Sequence, residues 1–249
     1  MFKQYKSVKK PKKNPQIVPI LIVIPAKDEA ETIGDIVQRA RAQTGFAVLV
    51  IDDGSADQTA RIARANGAMV LAPCIPLGAW GATQTGIRYA LAHGFNTVIT
   101  VDADGQHEPE QIPLLIAAQR EHSSDMVIGA CTSRGSASRR IAWAFFRKLT
   151  GLAIEDLTSG FRLYGPRAVA ILASREATLL DYQDMGVLIM VRKAGLKLTE
   201  CEIQMPLRKT GKSRIFNSWL AVGRYLTHTT IHCLSRWEIK PGTRQNSQP

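Results

Sequence analysis

The chain has 249 residues, 45% hydrophobic and 21% charged, with a formal net charge of +11. That length and apolar share suffice for one large packed domain and exclude a disordered protein except at the ends. Four cysteines, Cys74, Cys131, Cys201 and Cys233, lie far apart without CxxC or Cys/His spacing. This excludes a disulfide framework and a zinc site and points to a reduced, cytosolic compartment.

The first fifteen residues, MFKQYKSVKKPKKNP, hold six lysines and almost nothing apolar, so residues 1–15 read as a disordered basic arm. Such an arm is either a solubilising tail or an attachment to an anionic membrane surface, where each lysine is worth about 1 kcal/mol. Nucleic acid attracts it equally, so charge alone does not choose. No apolar signal segment follows, and no run of about 18 uncharged apolar residues occurs, so neither secretion nor a membrane span is expected.

Ile17 to Ile24 is a β-branched apolar run ended by Pro25, read as a strand, and a helical pattern follows from Asp28 to about Gln43. The alternation continues with strands over 47–51, 68–71, 97–101 and 126–128, and with helices over 56–65, 80–93 and 109–120. Short apolar strands alternating with helices predict an α/β fold: a mostly parallel central sheet, buried on both faces and flanked by helices.

Parallel sheets bind ligands at the carboxyl ends of their strands, and here those ends are acidic. Lys27-Asp28-Glu29, Asp52-Asp53-Gly54-Ser55 and Asp102-Ala103-Asp104-Gly105 each follow an apolar run. Three converging acidic clusters repel one another unless a cation or several hydrogen-bond donors relieve them, and a divalent metal is the simplest relief. Asp102 and Asp104, two residues apart before a glycine, offer hard oxygen ligands suited to Mg²⁺ or Mn²⁺ bridging a diphosphate. Read blandly, the same residues form an Asx turn or helix cap, and Asp52 to Ser55 a turn capping the helix from Ala56.

The second half is less regular. Residues 138–152, SRRIAWAFFRKLTGL, and 216–237, FNSWLAVGRYLTHTTIHCLSRW, mix aromatics with cations. Each is either a helix lying in a membrane interface or a core helix with a solvated basic edge. His228 and His232 are spaced one helical turn apart but lack the glutamate of a zinc-binding HExxH, and read as helix-surface residues.

Six segments occur in a telling order: VIPAKDEAETI (23–33), VIDDGSADQT (50–59), PLGAWGATQTGIRYAL (76–91), DADGQHEPEQI (102–112), DLTSGFRLY (156–164) and RKTGKSR (208–214). Together they resemble family 2 glycosyltransferases, and within them the dolichol- or polyprenyl-phosphate mannose and glucose synthase branch, over residues 17–215. The resemblance implies a GT-A, Rossmann-like fold over residues 16–215, followed by an amphipathic helix and tail over 216–249. It implies inverting hexose transfer from a UDP- or GDP-hexose to a polyprenyl phosphate, with Mg²⁺ or Mn²⁺.

By position, Pro25, Ala26, Asp28 and Glu29 would line the nucleoside pocket, with Asp53 on the base or ribose. Asp102 would face ribose and metal, and Asp104 the metal. Gln106 would lie toward the acceptor, and Arg208, Lys212 and Ser213 would close over the diphosphate, stabilising the leaving group electrostatically. Asp156 is the first choice for the acidic group at the acceptor and Asp184 the second. Arg134, Arg139 and Arg140 would hold the acceptor phosphate or, alternatively, form solvated helix surface.

The sequence departs from the family pattern in three places. Lys27-Asp28-Glu29 stands for aromatic-Asn-Glu, Trp80 for a frequent glycine, and Gly186 for a frequent acidic residue, so the nucleotide stays open between uridine and guanosine. The transmembrane pair common in lipid-sugar synthases is not seen. A peripheral place on the inner face of the membrane is therefore expected, through the arm and amphipathic segments, with a separate membrane-embedded partner as a further candidate. The acidic strand ends argue against a nucleic-acid partner, since they repel a phosphate backbone. The other readings are transfer to a saccharide or other soluble acceptor, and a non-catalytic nucleotide-sugar- or nucleic-acid-binding protein.

Overall fold

A computed structural model describes residues 19–131, 154–180 and 185–205. The strands are β1 (Ile20–Ala26), β2 (Ala47–Asp52), β3 (Met69–Leu71), β4 (Thr97–Thr100), β5 (Met126–Ala130), β6 (Arg162–Tyr164) and β7 (Leu198–Glu202). The helices are α1 (Ile33–Thr44), α2 (Thr59–Ala65), α3 (Gly78–Ala92), α4 (Ile112–His122), α5 (Pro166–Leu172) and α6 (Met185–Lys193).

Among the described residues these strands form one seven-stranded sheet in the order β3-β2-β1-β4-β6-β5-β7. All neighbours are parallel except β6, which runs antiparallel between β4 and β5. The expected mostly parallel, helix-flanked sheet is therefore present. Side chains alternate between two cores, which is why the strands read as unbroken apolar runs. Leu21, Val23, Leu49 and Ile51 pack beneath α3, α5 and α6, while Ile22, Ile24, Val48 and Val50 pack beneath α1, α2 and α4.

Several boundaries differ from those expected. β1 does not stop at Pro25 but pairs through Pro25 and Ala26 with Ile51 and Asp52. The Val101 N–H donates to the Val23 carbonyl and the Asp53 N–H to that of Ala26, so Pro25 lies on the β4 side, where the ladder has already ended. Its missing N–H therefore costs no bond in the sheet. Helix α1 begins at Ile33 rather than near Asp28, because Asp28 has a left-handed backbone (φ 54). Helix α2 begins at Thr59 rather than Ala56, since the residues before it bind the loop after β1.

β6, β7, α5 and α6 are not legible in the apolar periodicity. β6 is three residues long and includes a buried arginine, and β7 is an edge strand reading LTECE. The two segments that mix aromatics with cations, 138–152 and 216–237, lie outside the described residues, as do the basic arm, His228 and His232.

Candidate active site

From β1 the chain moves outward through β2 to β3, then returns to place β4 on the other side of β1. The carboxyl ends of β1 and β4 thus flank a topological switch point, the place where open α/β sheets bind ligands. All three acidic clusters lie at the adjoining ends of β1, β2 and β4.

The first two clusters are laced together. The Asp28 N–H donates to Ser55 Oγ at 3.0 Å, and Asp28 Oδ1 accepts from the Ala56 N–H at 2.7 Å. The Glu29 N–H donates to Thr59 Oγ1 and the Ala30 N–H to Asp57 Oδ2. Asp52 Oδ1 accepts from the Ser55 N–H, forming a turn of its own. Asp53 is buried, and its two oxygens accept from the backbone N–H groups of Leu77 at 2.5 Å and Gly78 at 2.8 Å, where α3 begins. Asp53 therefore fixes the start of α3, not the helix from Ala56. Backbone donors supply much of the relief that these converging carboxylates require.

The loop after β4 is built differently. Ala103 is buried, and its carbonyl accepts from Thr32 Oγ1 at 2.6 Å, so Asp102 and Asp104 on either side are both left partly open to solvent. Asp104 Oδ1 accepts from the Gln106 N–H at 3.0 Å across Gly105, whose φ of 76 suits a residue without a Cβ. Gln106 is itself buried.

His107, also buried, stacks on Phe161 with ring centroids 5.2 Å apart. Its Nδ1 accepts from the Asp102 N–H at 3.0 Å, which assigns the ring proton to Nε2. With Nδ1 an acceptor, the 3.4 Å approach of Asp102 Oδ2 is a contact rather than an ion pair.

Asp102 also rests on Gly160. A Cβ there would lie 2.4 Å from Asp102 Oδ1 and 2.8 Å from Oδ2. The Gly160 carbonyl in turn accepts from Thr100 Oγ1 at 2.6 Å. Four residues earlier, Asp156 is buried; its Oδ2 accepts from the Cys131 N–H at the end of β5, and its Oδ1 from the Thr158 N–H and hydroxyl. The 156–160 turn therefore carries the expected acceptor-side carboxylate and the seat of Asp102 on one short segment.

Glu200, on β7, completes this turn. Its Oε1 accepts from the N–H groups of Glu155 and Asp156, and its Oε2 from that of Glu155, all at 2.8 Å. Burial pushes the Glu200 carboxyl above its ordinary range; the two backbone N–H groups oppose this, and the negative charges of Asp156 and Glu155 add to it.

On the other side, one stripe of α3 holds the 172–178 segment by its carbonyls. Trp80 Nε1 donates to Ala177 at 2.7 Å, Gln84 to Leu172 and Ser174, and Arg88 to Ala173 and Ser174. Trp80, which replaces a frequent glycine, is buried and is the first rung of this stripe.

The fold thus gathers Pro25, Ala26, Asp28, Glu29, Asp53, Asp102, Asp104 and Gln106 at the switch point, with Asp156 next along the sheet. Asp184, Arg134, Arg139, Arg140, Arg208, Lys212 and Ser213 lie outside the described residues. His107, Gly160 and Glu200 escaped the reading of individual residues. His107 and Gly160 stand inside recognisable segments, but nothing in the sequence around Glu200 marks it.

The donor set can be tested for a metal. No group of three or more His, Cys, Asp or Glu side chains among the described residues could enclose an ion. Asp102 and Asp104, two residues apart and both partly open, instead offer two carboxylates, a number that suits Mg²⁺ or Mn²⁺, ions that complete their shell with water and phosphate oxygens.

Residues 21–172 match the family described as Glycosyl transferase family 2. The chain belongs to this family. It is 30% identical over 239 residues to the undecaprenyl-phosphate mannosyltransferase of Micrococcus luteus, covering 88% of this chain and 96% of that one. It is also 30% identical over 161 residues to the polyprenol monophosphomannose synthase of Mycolicibacterium smegmatis, covering 58% and 60%. Among solved structures it resembles glucosyl-3-phosphoglycerate synthase from Mycobacterium tuberculosis in complex with Mn²⁺, UDP and phosphoglyceric acid. That likeness has a TM-score of 0.66 at 19% identity and covers 87% of this chain and 78% of the other. The fold of this family member is GT-A.

Proposed function

We propose that the chain transfers a hexose, with inversion, from a UDP- or GDP-hexose to a polyprenyl phosphate. The observation that carries this reading is the Asp102 and Asp104 pair, held open at the switch point of a family 2 fold whose likeness to a polyprenyl-phosphate mannosyltransferase spans nearly the whole of that relative.

Asp102 and Asp104 would hold Mg²⁺ or Mn²⁺, which when bound neutralises charge on the diphosphate leaving group. The protein's own part is to seat those carboxylates. The His107 ring holds the Asp102 backbone, the Gly160 surface sets the place of its side chain, and the Gly105 turn orients Asp104. Pro25, Ala26, Asp28 and Glu29 would bound the nucleoside, with Asp53 close behind. Arg208, Lys212 and Ser213 would stabilise the departing nucleotide diphosphate.

The acceptor phosphate monoester has a second pKa of about 6 and is largely a dianion at neutral pH. Its oxygen can attack the anomeric carbon with little need for deprotonation, so Asp156 orients the acceptor rather than removing a proton. Arg134, Arg139 and Arg140 would hold the phosphate, and Asp184 and Gln106 complete the acceptor side.

A lipid acceptor places the enzyme peripherally at the inner face of the membrane, with the basic arm drawn to anionic lipid. No helix among the described residues is long and apolar enough to cross a bilayer.

The direct test incubates the protein with Mn²⁺, a short-chain polyprenyl phosphate and labelled UDP-glucose, UDP-GlcNAc or GDP-mannose in turn. The expected result is a lipid-soluble labelled product from one donor. Label transferred only to a water-soluble acceptor would replace this reading with the soluble-acceptor alternative, and donor binding without turnover would make the chain a binding protein.

A further inference from the structure

We infer that Glu200 is a positioning residue for the acceptor-side carboxylate: its side chain holds the backbone of residues 155 and 156, and through it aims Asp156. The inference rests on the proposed reading of Asp156 as the group facing the acceptor.

Asp156 is fixed from two directions. Its carboxylate accepts from the Cys131 N–H at 3.3 Å and from the Thr158 N–H at 3.0 Å. Those bonds orient the side chain only if the backbone that carries it is itself held. The described residues at this turn, Glu155 to Thr158, lie between strands, and their N–H groups have no ladder partner to hold them. Glu200 provides that restraint, with three contacts of 2.8 Å from two consecutive N–H groups.

The register of the sheet makes the reach possible. Glu200 stands opposite Ile128 on β5, two residues before the Ala130 that leads into Cys131, so the edge strand brings it to the end of β5 to which Asp156 is bonded. The chemistry also selects a carboxylate. Oε1 accepts from both N–H groups and Oε2 shares that of Glu155, whereas a glutamine would turn its amide N–H₂ toward the Glu155 N–H. This carboxyl is half-buried, and burial together with the nearby Asp156 and Glu155 disfavours its charged form. Replacing it by a neutral group would remove that repulsion, so its presence is better explained by what it holds than by the stability it adds.

Carboxylates one shell removed from a reacting group typically change activity by about 10- to 100-fold. The experiment compares the full-length wild type, Glu200→Ala, Glu200→Gln, Asp156→Ala and the Glu200→Ala/Asp156→Ala double variant. Each is assayed for transfer from the preferred nucleotide-hexose to a polyprenyl phosphate, with Mn²⁺-nucleotide affinity and thermal midpoint measured alongside.

Glu200→Ala is expected to lower kcat about 10- to 100-fold and to leave the donor KM and nucleotide affinity within about twofold. Glu200→Gln, which keeps one acceptor oxygen and the side-chain volume, should lose less. The double variant should be no slower than Asp156→Ala alone, because Glu200 acts through Asp156. A purely structural glutamate would instead give losses that multiply in the double variant and would weaken donor binding too. Multiplying losses, or an unchanged kcat in both Glu200 variants, would overturn the inference while leaving the transferase reading in place. A wild type that transfers nothing to the lipid phosphate would remove that reading, and the inference with it.

Discussion

Gly160 and Asp102 are separated by 58 positions in sequence, yet the smallest side chain in one segment sets the place of a carboxylate in the other. A Cβ on Gly160 would fall 2.4 Å from Asp102 Oδ1, well inside any tolerable contact. The atom it meets is the end of a rotatable, partly exposed side chain, so the protein can yield by moving Asp102 rather than by unfolding. Gly160→Ala is therefore expected to keep a thermal midpoint within about 3 °C of wild type. It should cost on the order of 100-fold in kcat/KM, since a displacement of about 1 Å at a catalytic group carries that penalty. Thermal unfolding and steady-state kinetics on the same preparation check both halves.

The sequence marks this region only in part. Asp102 and Asp104 declare themselves by spacing and by the glycine after them. The need for glycine at position 160 is invisible until the 156–160 turn is seen to press on Asp102. His107 is a similar case: a lone histidine says little, and its use appears only once the Asp102 N–H is found to donate to it.

At the scale of elements, the loops after β1, β2 and β4 are joined by side-chain hydrogen bonds to one another's backbone, and one surface ion pair extends the same system. Arg39 on α1 reaches Asp35 one turn back and Glu110 in the 3-10 turn that precedes α4. It bonds Glu110 with two nitrogens, at 2.8 and 2.6 Å. The Arg39 hydrogen bond holds the Glu110 carboxyl below its usual range, with partial burial opposing it.

A carboxyl lowered in the folded state contributes stability that is present above its unfolded pKa of about 4.3 and is lost as pH falls through the lower folded value. Both partners are more than a third exposed on their side chains, so the contribution is at most about 1 kcal/mol. Glu110→Gln should lower the thermal midpoint by no more than about 4 °C at pH 7. That difference should shrink to nothing as the pH is taken down through the acid range; a difference that persists unchanged in acid would contradict the assignment.

Elements also divide into those the sequence reveals and those it hides. The first five strands and α1 to α4 are legible because burial on both faces leaves continuous apolar runs between helical segments. Their starts are displaced where side chains such as Ser55 and Asp57 bind the neighbouring loop instead of extending a helix. β6 is hidden because three residues carry no period, and because Arg162 occupies a core position that apolar pattern reading rejects. β7 is hidden because an edge strand that presents Glu200 to a turn has no reason to be apolar.

At the scale of the whole molecule, a basic protein gathers three of its acidic clusters where a parallel sheet converges. Crowding them there is tolerable because the donors on hand differ from strand to strand. At β1 and β2, backbone N–H groups bind Asp28, Asp52 and Asp53. At β4, Asp102 and Asp104 stand partly open to solvent beside the switch point. The sequence thus located the convergence, and the fold divides it in two. At the β1 and β2 ends the carboxylates bind backbone N–H groups of the 55–56 turn and of the start of α3. At the β4 end Asp104 accepts from the Gln106 N–H, and the partly open Asp102 and Asp104 are the proposed seat of the cation and diphosphate.

That division is tested most directly by calorimetric titration of UDP and GDP into the wild type, Asp102→Asn and Asp104→Asn proteins, with and without Mn²⁺. One nucleotide should bind the wild type tightly only when Mn²⁺ is present, and each substitution should abolish the metal dependence while leaving the protein folded. Equal affinity with and without the ion, or unchanged Mn²⁺-dependent binding in both variants, would contradict the account.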